Sequence, residues 1–300
     1  GGVFTIATGG AHRVWGPTSS FIQGNNELAI VLIMTIPLMY FLVQESAVAA
    51  RWPGFKRLGE KWIRRGLYAA MGLSAIAAIG SQSRGALLAI IAMGSVLWWR
   101  SKSKLPIALA ALGLGVLVLV AAPDTWFERM DTIRTYEEDA SAMGRINAWT
   151  MAVNIANDRI TGAGFAFASP FIYQMYAPDP SIVLVAHSIY FQVLGEHGYI
   201  GLVLFLSMWI SAYRVAGYIV KAGKGVDDLA WAVHFGNLAK VSMVGFAVGG
   251  AFLDLAYWEM PYYLIAALVA AKLLVNEHLK SVVPQTQGGL HFSGLARGVR

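Results

Sequence analysis

The sequence contains no cysteine, and only 13% of its 300 residues are charged. The absence of cysteine excludes a disulfide framework and a thiolate metal site. Low charge, 57% hydrophobic residues and a mean hydropathy of +0.56 exclude an ordinary soluble domain, whose surface needs more charged side chains. The composition therefore predicts an all-α, polytopic membrane protein.

The chain also lacks an initiator methionine and a signal peptide, because it begins at Gly1. We therefore expect a fragment or processed product whose upstream spans are missing. Nucleotide-binding fingerprints, internal repeats and coiled-coil heptads are absent from the sequence as well.

Hydrophobic segments near the roughly 20 residues of a membrane span follow a polar N-terminal stretch. We predict seven spans, near residues 27–44, 66–82, 85–99, 105–122, 199–219, 232–253 and 260–275.

Lysine and arginine predict the orientation of these spans. Six cations lie between residues 51 and 65 and three more between 100 and 104, which places both loops in the cytoplasm. This topology puts 17 of the 23 Lys and Arg residues inside and the other 6 outside. The basic net charge then reflects orientation, and no nucleic-acid partner is expected. The predicted regions are an outer loop with four spans (1–122), an outer loop (123–198), three spans (199–275) and a cytoplasmic tail (276–300).

The outer loop contains most of the residues suited to chemistry. A helix near 141–157 would place Arg145 and Trp149 four residues apart on one face. A second helix, beginning after Pro180 with Ser181 as its cap, would place His187 on an apolar face. His187 there is either a packed histidine with one hydrogen bond or a general base.

Other polar residues leave similar alternatives open. Arg84, at the outer turn of a tight hairpin, either reaches lipid headgroups or binds a substrate. Arg13 is a weaker candidate of the same kind. Asp254 and Glu259 could either line a site or anchor the last hairpin. The acidic run at 137–139 is a poor metal site because adjacent side chains point in different directions, so no metal or other cofactor is expected.

Four short runs resemble the motif series of the O-antigen ligase and polymerase superfamily, the Wzy_C-type membrane glycosyltransferases. They are SRGALLAI, GRINAW, ITGAGF and AHSIYFQVLGEHGYIGL, in the expected order. The opening HRVWGPTSSFIQGNNELAIVLIMTIPLMY resembles the branch of O-glycosylation ligases associated with exosortase A systems.

This resemblance implies a GT-C-like, inverting, metal-independent glycosyltransferase of the bacterial inner membrane. Such an enzyme moves a glycan from undecaprenyl diphosphate to a hydroxyl of a glycolipid, polysaccharide or protein acceptor on the periplasmic face. The implied base is His187, and the implied diphosphate ligands are Arg84 and Arg145, with Arg13 as a further candidate. Ser188, Trp149 and Glu196 are the implied supporting residues.

One position departs from the family pattern. Many members have asparagine after the histidine, whereas this chain has Ser188. The sequence also leaves open a repeat-unit polymerase of the same superfamily and a non-enzymatic transporter of lipid-linked glycans. A transporter would favour charged residues deep in several spans, and the sequence has little beyond Lys240.

Overall fold

The computed structural model describes residues 1–101 and 140–282, with isolated positions between them at 104–105, 108–109, 112–113, 115–116 and 127. All regular secondary structure in this part of the chain is helical. We number its helices α1 to α10. Their bounds are α1 Gly2–Ala7, α2 Asn25–Gln44, α3 Ser46–Ala49, α4 Gly59–Gly80, α5 Arg84–Arg100, α6 Ala140–Asp158, α7 Pro170–Tyr176, α8 Ile189–Gly223, α9 Ala230–Gly249 and α10 Glu259–Val282.

Four stretches are long and apolar enough to cross a membrane within the described ranges, and they make this a multi-pass membrane protein. They are Asn25–Gln44, Ile189–Gly223, Asp227–Phe252 and Glu259–Ser281. Three of them contain one of the seven predicted spans each, and Asp227–Phe252 contains all but the last residue of the span 232–253. The predicted spans 66–82 and 85–99 also form helices, but α5 has only 17 residues and α4 begins with a charged turn. The predicted span 105–122 and the tail beyond 282 fall outside the described residues.

Helix α9 is central to the bundle. It packs against α2, α5, α8 and α10, while α2 also packs on α4. Their buried side chains form one large apolar core, with Met34, Ile219, Phe246 and Leu268 among its members. Between helices in a bilayer, such side chains stabilise the fold through close van der Waals packing. The bundle therefore fixes the ends of α2, α5, α8 and α9 relative to one another.

The segment from α6 to the start of α8 has a second core of its own. Buried Met151 and Ile155 on α6 pack with Tyr173 of α7 and with Ala186. The predicted helix near 141–157 is confirmed as α6. The N-terminal stretch was predicted to be an irregular loop, but it contains the short helix α1.

The turn between α4 and α5 is polar, yet it is buried. Ser81, Gln82 and Ser83 are each at most 6% exposed. The Asn25 amide at the start of α2 donates a hydrogen bond to the Ser81 carbonyl, 2.7 Å away. The Ser83 hydroxyl caps α5 by accepting from the Ala86 N–H at 3.2 Å. These bonds fix the position from which Arg84 projects.

Candidate active site

His187 is not on a helix, which corrects the prediction of a helix capped by Ser181. Residues 182–187 have no regular structure, and α8 begins only at Ile189. His187 has φ +46°, in the left-handed region that few residues other than glycine adopt. Such a conformation costs on the order of 1–3 kcal/mol and persists only where surrounding contacts enforce it.

Asp254 supplies those contacts. The backbone N–H groups of both His187 and Ser188 face its carboxylate and lower its pKa, against the effect of burial. Two successive N–H groups that converge on an anion are the usual result of a left-handed residue in a turn. The left-handed backbone at His187 and the carboxylate of Asp254 therefore depend on each other.

The same carboxylate also contacts the imidazole. His187 Nδ1 lies 3.2 Å from Asp254 Oδ2, and the two side chains are 32% and 23% exposed. Burial and the positive charge of Arg145 lower the pKa of His187. Burial raises the pKa of Asp254 to about 6, against the hydrogen bonds that it accepts. Near neutral pH the carboxylate is therefore ionised, this contact favours the tautomer with its proton on Nδ1, and Nε2 keeps a lone pair for a proton.

A polar network holds the segment that contains Asp254 against α8. The Ala256 N–H donates to the Gln192 side-chain oxygen at 3.3 Å, and the Gln192 amide donates to Glu196 at 3.4 Å. The Tyr257 hydroxyl also donates to Glu196, whose carboxylate is buried. Burial and this acceptor raise the pKa of Tyr257. Glu196 thus helps to hold the Asp254 segment through Tyr257 and Gln192.

The helix that contains Glu196 is kinked at Gly198, which has φ +64° and ψ −163°. A β-carbon on Gly198 would lie 2.0 Å from the Ile160 carbonyl oxygen, and one on Gly162 would lie 2.5 Å from the Glu196 carbonyl carbon. The Ala163 and Gly164 N–H groups donate to the carbonyls of Gly195 and Glu196, each at 2.9 Å. The ITGAGF turn therefore needs its glycines in order to pack on this kink.

Trp149 holds the backbone just before His187. Its indole N–H donates to the Ala186 carbonyl at 2.6 Å. Its ring stacks on Phe191, with centroids 4.9 Å apart and planes 10° from parallel. Helix α6 is thus joined to both sides of the His187 turn through Trp149.

Arg84 and Arg145 line one small polar pocket, with a volume of about 100 Å³. Arg84 is the first residue of α5, and Arg145 lies on α6. The other lining residues are Asn26, Ser83, Gly85, Ser141, Phe252 and Leu253. Leu253 directly precedes Asp254, and the charge of Arg145 acts on His187. The pocket thus brings the guanidinium groups of Arg84 and Arg145 together beside the His187–Asp254 pair, and guanidinium groups are well suited to an anion.

The remaining candidates lie differently. Arg13 is beside Val14, whose N–H donates to the Gly80 carbonyl at 3.2 Å, but Arg13 does not line the pocket. Ser188 is 1% exposed and contributes its backbone N–H to Asp254. Within the described ranges no group of three or more metal-ligating side chains occurs. The acidic run at 137–139 lies outside those ranges.

Asp254 is the functional residue that sequence reasoning left undecided. It is 67 positions from His187, and no periodicity links the two. The available signal was its isolation, since Asp254 stands among apolar residues in the short connection between two spans. Tyr257 and Gln192 gave no comparable signal.

Comparison with known proteins finds a match to one protein family. Residues 69–206 match the Wzy_C family model, described as O-antigen ligase. This match supports the O-antigen ligase superfamily and a ligase-type membrane function at the level of the family. It includes Arg84, Arg145, Trp149, His187 and Glu196. No curated protein matches the chain.

Proposed function

We propose that this chain, with its O-antigen ligase region, is a membrane glycan ligase that transfers an oligosaccharide or polysaccharide from undecaprenyl diphosphate to an acceptor hydroxyl. The observation that supports it best is the juxtaposition of two parts. One is a pocket lined by two arginines, and the other is a histidine held by Asp254 with Nε2 available. Transfer from a lipid diphosphate needs both an anion site and a base.

The proton transfer follows from the tautomer. His187 Nε2 accepts the proton of the acceptor hydroxyl as its oxygen attacks the anomeric carbon of the donor glycan. The bond from that carbon to the phosphate oxygen breaks, and its electron pair leaves with undecaprenyl diphosphate. Attack opposite the leaving group inverts the anomeric configuration. Asp254 stabilises the imidazolium that forms, as a carboxylate does in a His–Asp pair.

Arg84 and Arg145 act on the leaving group. Negative charge grows on the bridging phosphate oxygen as the glycosidic bond breaks, and two preorganised guanidinium groups offset it. A guanidinium presents a planar fork that matches two phosphate oxygens. The proposed reaction therefore uses no metal ion. Arg13 remains a candidate for a more distant part of the donor.

The ends of α2 support an orientation. Its N-terminal end, at Asn26, lines the arginine pocket, whereas its C-terminal end leads into the basic stretch 51–65. The positive-inside rule puts that stretch in the cytoplasm, and hence the arginine pocket in the periplasm of a bacterial inner membrane. A cysteine at Ser141 should react with an impermeant maleimide added to intact spheroplasts, while one at Lys56 should react only after permeabilisation. The reverse pattern would refute this orientation.

The proposal is tested by a transfer assay with the full chain in proteoliposomes. The donor is undecaprenyl diphosphate-linked glycan, and the acceptor is membrane material from a strain that lacks the gene. Mass spectrometry should show a new glycosidic bond on a glycolipid, polysaccharide or protein. A product in which donor glycans are joined to one another on the lipid would identify a polymerase instead.

His187→Ala should lower this transfer by roughly 10²- to 10⁴-fold, because it removes the general base. His278→Ala is the matched control, because His278 lies near Asp228 (3.8 Å) at the end of the bundle away from the pocket. Expression and membrane insertion should be normal for both variants. Wild-type turnover by the well-folded His187→Ala protein would return this residue to a packing role.

A further inference from the structure

A large apolar cavity lies at the other end of the bundle from the arginine pocket, about 30 Å away along the 20 residues of α2. Its volume is about 870 Å³. It is enclosed by the end of α2, by α3 and the loop after it, and by the first turns of α4 and α9. Its aromatic lining consists of Phe41, Trp52, Phe55, Trp62 and Trp231.

Much of this apolar lining is exposed. Trp52 and Trp62 are 60% and 63% exposed, and Phe55 and Leu58 are 44% and 52% exposed. They directly follow a membrane span, at the depth where tryptophan is enriched at the bilayer interface. Such a cavity, beside the end of a span, is open to a lipid acyl chain.

Cations are interleaved with these aromatic residues. The stretch 51–65 contains six cationic side chains and a single carboxylate. The cations are Arg51, Lys56, Arg57, Lys61, Arg64 and Arg65. Every residue from 51 to 60 is exposed. The Arg65 guanidinium lies 5.1 Å from the centre of the Trp62 ring, which joins the cationic face of α4 to its cavity face. Lys61, Arg64 and Arg65 also line a second, basic pocket of about 520 Å³.

The neighbouring carboxylates have contacts of their own. Glu45, in the cavity wall, lies 3.8 Å from His234 Nδ1. Glu60 accepts from the Ser46 hydroxyl at 3.3 Å and lies 3.8 Å from Arg64. Two carboxylates against six cations leave the rim of this cavity basic.

We propose that this cavity and its basic rim form a binding site for an anionic phospholipid. An acyl chain occupies the apolar cavity, and the headgroup phosphate contacts Arg51, Lys56 and Arg57. Polybasic segments beside a membrane span attract anionic headgroups, and aromatic rings beside them anchor the segment at the interface. A second copy of the chain is a poorer occupant, because a symmetric contact would bring two such basic rims together.

Native mass spectrometry of the full chain, released from nanodiscs, tests this proposal. The nanodiscs hold phosphatidylcholine and phosphatidylglycerol in equal amounts. Wild-type protein should retain phosphatidylglycerol in clear preference. The triple variant Arg51→Gln, Lys56→Gln, Arg57→Gln should lose up to about fivefold in this preference per cation removed, and less at high salt. Trp62→Ala should lower the retention of both lipids, because it reshapes the cavity.

The matched control removes three exposed cations from the same end of the bundle but away from the cavity: Lys221→Gln, Lys224→Gln, Lys280→Gln. It should retain phosphatidylglycerol as the wild type does. An equal loss in both triple variants, or no preference in the wild type, would overturn the site. A dimer that Trp62→Ala dissociates would identify a second copy as the occupant and also overturn it.

Discussion

Asp254→Asn is the sharpest perturbation of the proposed site. Asparagine keeps the size of the side chain, and its oxygen can still accept from the backbone N–H groups of His187 and Ser188. Asparagine can no longer offer a charged acceptor to His187 Nδ1, which in the wild type lies 3.2 Å from the Asp254 carboxylate. A hydrogen bond to a charged group is worth about 1.5–3 kcal/mol, which corresponds to roughly 10- to 150-fold in rate. Loss of the preferred tautomer acts in the same direction.

The effect on stability should have the opposite sign. Asp254 has a pKa of about 6 in the fold against an ordinary value of 3.8, so the folded chain binds this proton more tightly than the unfolded chain. The contribution of Asp254 to stability is therefore fully present below about pH 4 and is lost as the pH rises through about 6. The difference amounts to about 3 kcal/mol at neutral pH. Asp254→Asn should thus gain up to that amount at pH 7.5 and much less at pH 4.5.

Two assays follow from this reasoning. Transfer in proteoliposomes should fall by about 10²-fold in Asp254→Asn. The wild-type rate should also fall as Asp254 becomes protonated below about pH 6, and this limb should be absent from the variant, which has no carboxyl group at this position. Thermal unfolding in detergent at the two pH values reports the stability. Glu259→Gln, which alters an exposed carboxylate nearby, is the control. Normal transfer by Asp254→Asn, or a variant less stable than wild type at pH 7.5, would refute the argument.

Two further substitutions test the rest of the site. Arg84→Lys and Arg145→Lys should each lose about 10²-fold in transfer, because lysine lacks the planar fork, while Arg159→Lys at an exposed surface pair should be neutral. Transfer should survive excess EDTA; inactivation that magnesium or manganese reverses, with active Lys variants, would indicate a metal-assisted mechanism. Gly198→Ala should destabilise the fold by about 3 kcal/mol or more, since its β-carbon would lie 2.0 Å from a carbonyl oxygen. Gly94→Ala, at a helical glycine with open space around it, should be neutral or slightly stabilising, and equal melting temperatures for the two variants would contradict the proposed packing of the kink.

Much of the helical framework could be predicted from the sequence, because long apolar runs are a strong local signal. The predicted spans 199–219 and 260–275 fall within α8 and α10, and the helix near 141–157 matches α6. The periodicity was misleading at 181–188. An apolar stretch of that length fits an extended segment as well as a helix, and partners far along the chain decide between the two.

The candidate site shows the same division between local and distant information. Arg145 and Trp149 are four residues apart on one helix, so their proximity is visible in the sequence. The approach of Arg84 to Arg145 is not, because it depends on how α5 and α6 pack against the connection after α9. Nor is the left-handed turn at His187, which needs an acceptor that the local sequence does not contain.

The position of Asp254 extends the proposed catalytic unit beyond the matched region. The family match ends at residue 206, whereas Asp254 lies between α9 and α10. Within the matched region, Trp149 of α6 holds the backbone just before His187. Asp254 faces both the left-handed backbone of His187 and its Nδ1. The last two spans therefore do more than anchor the chain in the bilayer, because their packing against α8 sets the orientation of the proposed base.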